Sequence, residues 1–103
     1  MGEPRMTMTT VKVLTTMLGD IGGHHYGYDL MKQVGIGSGT LYPLLARLEQ
    51  AGLIESNWEE ANPNEVGRGK RKYYALTSHG QAVAQLEQKK LKQMISVGGI
   101  INV

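Results

Sequence analysis

Glycine residues divide the apolar pattern of this chain into short segments, and this division limits what the chain can fold into. The breaks stand at Gly22-Gly23, at Gly35-Ile36-Gly37 and at Gly52. Between the last two breaks, leucines recur at three- and four-residue spacing, which is typical of a helix with one buried face. These leucines are Leu41, Leu44, Leu45 and Leu48. The pattern therefore predicts short helices joined by tight turns.

Three helices are expected in the first half of the chain. The first begins at Thr9 or Thr10, either of which can cap it, and stops at the Gly22-Gly23 pair. The second covers about 26–34. Ser38 is expected to cap the third, at about 39–50, and Pro43 to lie in its first turn.

The second half of the chain predicts a hairpin and a final helix. Strand-like patterns at 53–58 and 70–76 flank a polar segment rich in proline and glycine at 61–69. Thr77 then caps an amphipathic helix of about 20 residues. Its apolar stripe consists of Val83, Leu86, Leu91, Met94 and Val97.

Size and composition exclude several classes of protein. A chain of 103 residues fits one compact domain, and its lack of cysteine excludes disulfides and thiolate metal sites. No apolar run approaches the roughly 20 residues that span a bilayer, and the first ten residues lack a signal-peptide core. We therefore expect a cytoplasmic protein that is neither exported nor bound to a membrane. The net charge of +2 identifies no polyanionic partner by itself.

The order of elements predicts the fold class: α+β, mainly α, a winged helix-turn-helix of three helices and a two-stranded wing. This domain is expected to cover residues 1–76, with 1–8 flexible. A dimerisation helix follows at 77–97, and a tail at 98–103 is expected to fray or to pack against a partner chain.

Five segments resemble the PadR family of transcriptional regulators. They are Tyr26-Gly27-Tyr28-Asp29-Leu30, Ser38-Gly39-Thr40-Leu41-Tyr42-Pro43-Leu44-Leu45, Arg47-Leu48-Glu49, Gly52-Leu53-Ile54 and Gly67-Arg68-Gly69-Lys70-Arg71-Lys72-Tyr73-Tyr74-Ala75-Leu76-Thr77. The turn before Ser38 is shorter than is usual in that family, and the single helix after Thr77 is similar to its short members. The resemblance implies a regulator whose release from DNA is controlled by a small-molecule effector.

The third helix and the wing carry the predicted DNA contacts. The N-terminal part of such a helix enters the major groove, and its side chains reach base edges and phosphates. The candidates on the helix are Ser38, Thr40, Tyr42, Pro43 and Arg47. Cations between glycines suit the phosphate backbone, and those in the wing are Arg68, Lys70, Arg71 and Lys72.

The apolar stripe of the last helix predicts a homodimer, because three helices and a hairpin already fill the centre of so small a domain. Val11 and Leu14 of the first helix are expected to share this dimer surface with Val83, Leu86, Leu91, Met94 and Val97. A two-fold dimer would present two recognition helices to successive major grooves, about 34 Å apart.

Several residues leave a plainer interpretation open. We expect Tyr28 and Tyr74 in the core, whereas Tyr42 suits the core or a contact. Adjacent His24-His25 rarely converge on one metal ion, so no metal site is predicted. Trp58 is either hydrophobic filler or a platform for a planar effector. Glu59-Glu60 are expected to be solvated charges.

Two functions remain in competition after an enzyme is set aside. The chain offers no cysteine nucleophile, no glycine-rich phosphate loop after a strand, no metal-spaced cluster of His, Asp and Glu and no acid pair in a catalytic arrangement, and no cofactor is expected. The leading hypothesis is a repressor that binds a pseudo-palindromic operator in double-stranded DNA as a homodimer. The alternative is a winged-helix module that binds a protein and has lost its affinity for DNA.

Overall fold

The computed structural model describes residues 5–60 and 70–101, with side chains described at 5–60 and 70–96. Four helices and a three-stranded antiparallel sheet make up this part of the chain. In chain order they are α1 (Met8–Leu18), β1 (His25–Tyr26), α2 (Gly27–Val34), α3 (Ser38–Gln50), β2 (Ile54–Trp58), β3 (Lys72–Leu76) and α4 (Ser78–Ile101). The predicted class, mainly helical with a winged helix-turn-helix, is confirmed.

Helix α1 begins earlier than the sequence suggested. The hydroxyl of Thr7 accepts a hydrogen bond from the amide of Thr10 at 3.2 Å, so Thr7 is the N-cap. Thr9 and Thr10, the predicted caps, lie inside the helix. The helix ends at Leu18 with Gly19 as its C-cap, ahead of the Gly22-Gly23 pair. A run of threonines offers several competent caps, and the packing of the core selects among them.

Glycines set the turn between α2 and α3. Gly35 ends α2 in the left-handed conformation with φ of +80°, and its amide donates to the carbonyl of Met31 at 2.8 Å. The carbonyl of Gly37 accepts from the amide of Leu41 at 3.0 Å and so opens α3. Gly37 is therefore the N-cap, and Ser38 is the first helical residue instead of the predicted cap.

The core lies between two groups of contacts: α3 packs against α2 and β2, and α1 packs against α2, β3 and α4. All four leucines predicted for the inner face of α3 are buried, and fully buried Leu14, Met17 and Leu30 join them. Burial stabilises each such side chain by about 1.5–3 kcal/mol. Val11 is only 8 % exposed and Leu14 is 0 % exposed. Both belong to the chain's own core, which corrects their predicted place on a dimer surface.

The sheet has a strand that the sequence did not predict. The order is β1-β3-β2, with His25 opposite Tyr74 and Tyr26 opposite Tyr73. The predicted hairpin is β2 and β3, which pair from Ile54 opposite Leu76 to Trp58 opposite Lys72. Strand β1 joins the start of α2 to the wing. Arg68 and the rest of the predicted tip at 61–69 lie outside the described residues.

Thr77 connects the wing to α4, as predicted. Its hydroxyl donates to the carbonyl of Gly52 at 2.6 Å and accepts from the amide of Gly80 at 3.0 Å. Gly80 lies directly against the carbonyl of Leu53. The helix continues to Ile101, so the predicted tail at 98–103 is helical through residue 101. In the part of the chain that the structure describes, no helix has the length and apolar character to cross a membrane.

Candidate nucleic-acid interface

The outer surface of α3 carries every residue predicted to contact DNA from this helix. Four apolar side chains hold the inner face of the helix in the core, which leaves the polar residues outside. Tyr42 retains 45 % of its surface. The exposed set is Ser38, Thr40, Tyr42, Pro43 and Arg47. No other described element covers the helix on this side.

These residues do not share one face, because α3 turns by about 100° per residue. Thr40 and Arg47 are seven residues apart and lie on one flank. Tyr42 lies about 140° away from Arg47, on the flank nearest the wing. Between the flanks, the crest of the helix carries small side chains. The crest residues are Gly39, Pro43 and Ala46, and Gln50 lies on the same side at the C-terminal end of the helix.

Pro43 is the sixth residue of α3, not part of its first turn as predicted. At this position the proline ring removes the amide that would donate to the carbonyl of Gly39, four residues earlier. The helix is nevertheless continuous from Ser38 to Gln50. Pro43 therefore presents a compact apolar ring on the exposed crest, where the backbone has one amide donor fewer than in an ordinary helix.

A cleft of about 360 Å³ lies on the wing side of α3. Tyr42 forms one wall and lies against the α-carbon of Gly27, where a Cβ atom would stand 2.8 Å from Cζ of the tyrosine ring. Glycine at position 27 thus lets the ring lie flat against the start of α2. The tyrosines and cations lining this cleft are Tyr26, Tyr28, Tyr42, Tyr74, Arg71 and Lys72.

Tyr26, Glu59 and Arg71 form a cluster at the root of the wing. The Tyr26 hydroxyl donates to a carboxylate oxygen of Glu59 at 2.8 Å, and the amide of Glu59 donates to the carbonyl of Arg71 at 2.9 Å. The guanidinium of Arg71 stacks on the Tyr26 ring. The hydrogen bond to Glu59 raises the pKa of Tyr26 above its usual 10.0, with partial desolvation and the Glu59 charge adding to it and Arg71 opposing it. Glu59 is therefore a structural partner and not the solvated charge that was predicted.

The remaining described wing cations lie at or just before the start of β3, the middle strand of the sheet. Lys70 and Lys72 are exposed, and the ammonium of Lys72 lies 5.7 Å from the Tyr74 ring and 5.9 Å from the Trp58 ring. Tyr74 is buried, as predicted, and this burial raises its pKa, with the charges of Tyr42 and Glu49 adding to the effect. The basic side of the wing therefore adjoins the Tyr42 flank of α3.

A second cleft, of about 460 Å³, lies on the opposite flank of α3. Thr40, Leu44 and Arg47 line it from the helix. Arg5 lines it from the segment before α1, together with Thr7, Thr9 and Thr10. Sequence reasoning missed Arg5, because 42 positions separate it from Arg47 and no local motif marks their meeting.

Tyr28 and Trp58 are both exposed, although Tyr28 was expected in the core and Trp58 was expected either as hydrophobic filler or as an effector platform. Tyr28, expected in the core, is 63 % exposed and lies under the ammonium of Lys32. Trp58 is 61 % exposed, so it is not hydrophobic filler in this chain. Both face solvent near the wing-side cleft or the end of β2.

The adjacent histidines serve separate contacts. The His24 ring stacks on the Tyr73 ring with centroids 3.7 Å apart, whereas Nε2 of His25 lies 2.9 Å from the carbonyl oxygen of Asp20. No group of three potential ligands suits a metal ion within the described ranges.

The predicted stripe of α4 is divided between core and surface. Val83 packs against the core and Leu91 is partly buried. Leu86 is 51 % exposed, Met94 is 68 % exposed, and neighbouring Ile95 is 64 % exposed. The side chain of Val97 lies outside the described set.

An exposed second helix of a helix-turn-helix, followed by a basic antiparallel wing, defines the winged-helix class of transcription regulators. The chain belongs to the PadR-like family of transcriptional regulators, whose family model matches residues 16–86. Members of this family are generally non-enzymatic DNA-binding proteins.

Solved structures agree with this assignment. A PadR family transcription regulator from Clostridium difficile R20291 has 26 % identity and a TM-score of 0.73, with 94 % of this chain and 100 % of that chain covered. A PadR-like transcription factor from Bacteroides fragilis has 26 % identity and a TM-score of 0.66, with 91 % of this chain and 92 % of that chain covered. MepR from Staphylococcus aureus, in a DNA-binding conformation, shares the fold at 18 % identity and a TM-score of 0.73. The match covers 89 % of this chain and 63 % of that chain. No curated protein matches the chain.

Proposed function

We propose that this protein is a repressor that binds a pseudo-palindromic DNA operator as a homodimer, with α3 of each copy in a major groove. The observation that carries the proposal is the outer surface of α3. Its crest is small enough to enter a groove about 12 Å wide, while longer polar side chains stand on both flanks. A helix with this profile reaches base edges without colliding with the groove floor.

The residues of α3 would divide the work of recognition. Arg47 can donate two hydrogen bonds to guanine or to a phosphate, and Thr40 offers a hydroxyl and a methyl group. Tyr42 has the reach and the phenolic hydroxyl for a contact on the wing side. Ser38 and the free amides at the start of α3 suit a phosphate, because a helix N-terminus favours anions. Pro43 would shape the inserted crest.

The wing would supply sequence-independent affinity. Lys70 and Lys72 are exposed cations next to the Tyr42 flank, and Arg68 stands in the predicted tip. Arg71 keeps its place in the proposal, yet its guanidinium stacks on Tyr26, so part of its contribution is to hold the wing root. Release by a small-molecule effector stays a prediction of the family resemblance.

A second copy of this chain would cover the exposed apolar side of α4. Leu86 and Met94 lie about 80° apart around a 24-residue helix about 36 Å long, and each is more than half exposed. Ile95 is exposed as well, but it lies about 180° around the helix from Leu86 and outside this side. Val83 lies between these two around the helix and Leu91 lies beside Met94, while Val97 belongs to the stripe predicted from the sequence. Large apolar side chains clustered on one exposed helix are typical of an interface. Pairing about a two-fold axis would give both copies the same contacts.

Selection of DNA by the purified protein tests the proposal. Fragments that the protein retains from a random pool should contain an inverted repeat. Tyr42→Ala and Arg47→Ala should each weaken binding to the selected site by about 1–3 kcal/mol. Ala46→Trp enlarges the crest and should also weaken binding, whereas Gln33→Trp, on the exposed surface of α2, is the control and should not.

Two outcomes would count against the proposal. One is a folded protein that enriches no DNA and instead retains a protein partner, which would favour the protein-binding module. The other is equal DNA affinity for Ala46→Trp and the unaltered protein, since a tryptophan on the crest of a helix that lies in the major groove would collide with the bases. Thermal unfolding of each variant shows that lost binding is not lost folding.

A further inference from the structure

We propose that Arg5 and Arg47 form a binding site for a backbone phosphate of DNA on the flank of α3 opposite the wing. The inference rests on the proposed function and extends it to a segment that no sequence motif marks. It assigns a DNA contact to the residues just before α1. The helix would then be held from both sides.

The backbone fixes Arg5 beside α3. The amide of Thr7 donates to the carbonyl of Arg5 at 3.0 Å, which forms a tight turn directly before α1. Met6, the next residue, packs against the hydrophobic core. Thr7 caps α1 through Thr10. Arg5 therefore lies next to two anchored residues, which hold its backbone in place.

The chemistry of the cleft suits an oxyanion. Two guanidinium groups and the Thr40 hydroxyl supply hydrogen-bond donors, and no carboxylate is among the described residues that line the cleft. Within the described ranges, neither Arg5 nor Arg47 takes part in an ion pair. Unpaired cations with hydroxyl neighbours match a phosphodiester, which offers only acceptors and one negative charge per nucleotide.

The position of the cleft matches the geometry of duplex DNA. Arg47 and Tyr42 lie on opposite flanks of α3, about 140° apart. A helix in the major groove runs between two sugar-phosphate strands, so each flank faces one of them. The wing cations adjoin the Tyr42 flank, and the Arg5 cleft adjoins the other. One strand would meet the wing while its complement meets Arg5.

Salt dependence of binding tests this site. Affinity of the full chain for a labelled duplex is measured by fluorescence anisotropy across a salt series. Removing one phosphate contact should make the slope of log affinity against log salt shallower by about 0.9. Between about 50 mM and about 200 mM salt, the variant should therefore lose about 3.5-fold less affinity than the unaltered protein loses. Arg5→Ala should show this change, and Arg5→Lys should restore most of the slope. Lys12→Ala removes the same charge from an exposed position on α1 outside the cleft and should leave the slope unchanged.

The outcomes separate this inference from the proposed function. No binding by the unaltered protein would overturn both. A second outcome would overturn this inference alone: the unaltered protein binds DNA, Arg47→Ala weakens that binding, and Arg5→Ala binds like the unaltered protein. Equal slope changes in Arg5→Ala and Lys12→Ala would also overturn it, because they would reflect total charge and not a local site.

A crosslink gives a direct readout that charge alone does not produce. The chain has no cysteine, so Arg5→Cys provides a unique thiol for a short photoactivated crosslinker. We expect irradiation to join position 5 to the DNA, and Lys12→Cys carrying the same reagent to give no product. Crosslinking from position 12 and not from position 5 would refute the assignment.

Discussion

The guanidinium carbon of Arg71 lies 3.8 Å from the centre of the Tyr26 ring, and this contact joins the root of the wing to the start of α2. Tyr26 is at once a residue of β1, the N-cap position of α2 and the donor to Glu59. Three separate roles, two of the backbone and one of the side chain, therefore meet at one residue. The orientation of the wing relative to α2 and α3 depends on them.

Tyr26→Phe removes the hydroxyl and keeps the ring under Arg71. We expect a lower midpoint of chemical denaturation, because Glu59 loses a hydrogen-bond donor while it stays partly buried. Tyr28→Phe, at an exposed tyrosine of the same helix end, is the control and should unfold like the unaltered protein. Equal midpoints for both variants would show that the Tyr26 hydroxyl contributes nothing to stability.

Gly27→Ala tests whether the position of Tyr42 matters for DNA binding. The new methyl group would displace the tyrosine ring, whose free end can move, so we expect nearly unchanged stability and DNA binding weaker by about 1–3 kcal/mol. In a Tyr42→Ala background the same change should have no further effect. Full additivity of the two variants in anisotropy titrations would contradict a coupling through Tyr42.

Gly80→Ala should destabilise the fold itself. A Cβ atom there would overlap the carbonyl oxygen of Leu53 and stand 2.7 Å from its carbonyl carbon, and backbone atoms cannot move aside cheaply. We expect a loss of about 1–3 kcal/mol in the free energy of unfolding. Gly39→Ala has open space around it and should gain about 0.5–1 kcal/mol from helix propensity. Urea denaturation of the pair measures both signs, and a neutral Gly80→Ala would disprove the close contact.

Alkaline pH should weaken the fold through Tyr74. Burial of the Tyr74 side chain favours its neutral phenol over the charged phenolate, and so raises its pKa above the ordinary 10.0. The unfolded chain therefore loses this proton first, so the stabilisation is complete below about pH 10 and falls as pH rises from there toward the folded pKa. Between about pH 9 and about pH 11, the free energy of unfolding should fall less for Tyr74→Phe than for the unaltered protein. Parallel curves would mean that Tyr74 titrates normally in the folded state.

Met94→Glu should separate the proposed dimer. A carboxylate in place of an apolar side chain that is 68 % exposed in the single chain would be buried without a partner, weakening the dimer by about tenfold or more. Gln85→Glu adds the same charge on the polar side of α4. Sedimentation equilibrium should show dissociation for the first variant and not for the second. A monomer in the unaltered protein at all concentrations would remove the basis of the dimer proposal.

Local periodicity is sufficient to predict the framework of this fold. The leucines of α3 and the capping role of Thr77 follow from the sequence because each depends on residues three or four positions apart. Strand β1 does not, since two residues carry no period and His25 and Tyr26 pair only because β3 lies beside them. Adjacent threonines compete to cap α1, so its first residue was predicted wrongly. Pro43 lies beyond the first turn because α3 begins at Ser38.

The candidate site is predictable on one side only. The outer residues of α3 follow directly from its buried leucines, so the pattern of the chain suffices to identify Tyr42 and Arg47. Arg5 and Glu59 acquire their surroundings from segments far along the chain, and neither residue stands in a local pattern. A large aromatic ring suits a core, which is why Tyr28 is expected there, yet α2 turns by about 200° between Tyr28 and buried Leu30 and so leaves Tyr28 outside.

Trp58 is the chain's single tryptophan, and it stands exposed at the end of β2 with the ammonium of Lys72 nearby. Its indole emission therefore comes from one known position on the wing, because the chain has no second indole, and excitation at the red edge of the absorption band avoids its five tyrosines. Any partner that touches or reorients this edge will change the intensity or colour of that emission. The protein thus carries a built-in optical probe, and occupancy of the wing can be followed in solution without attaching a dye.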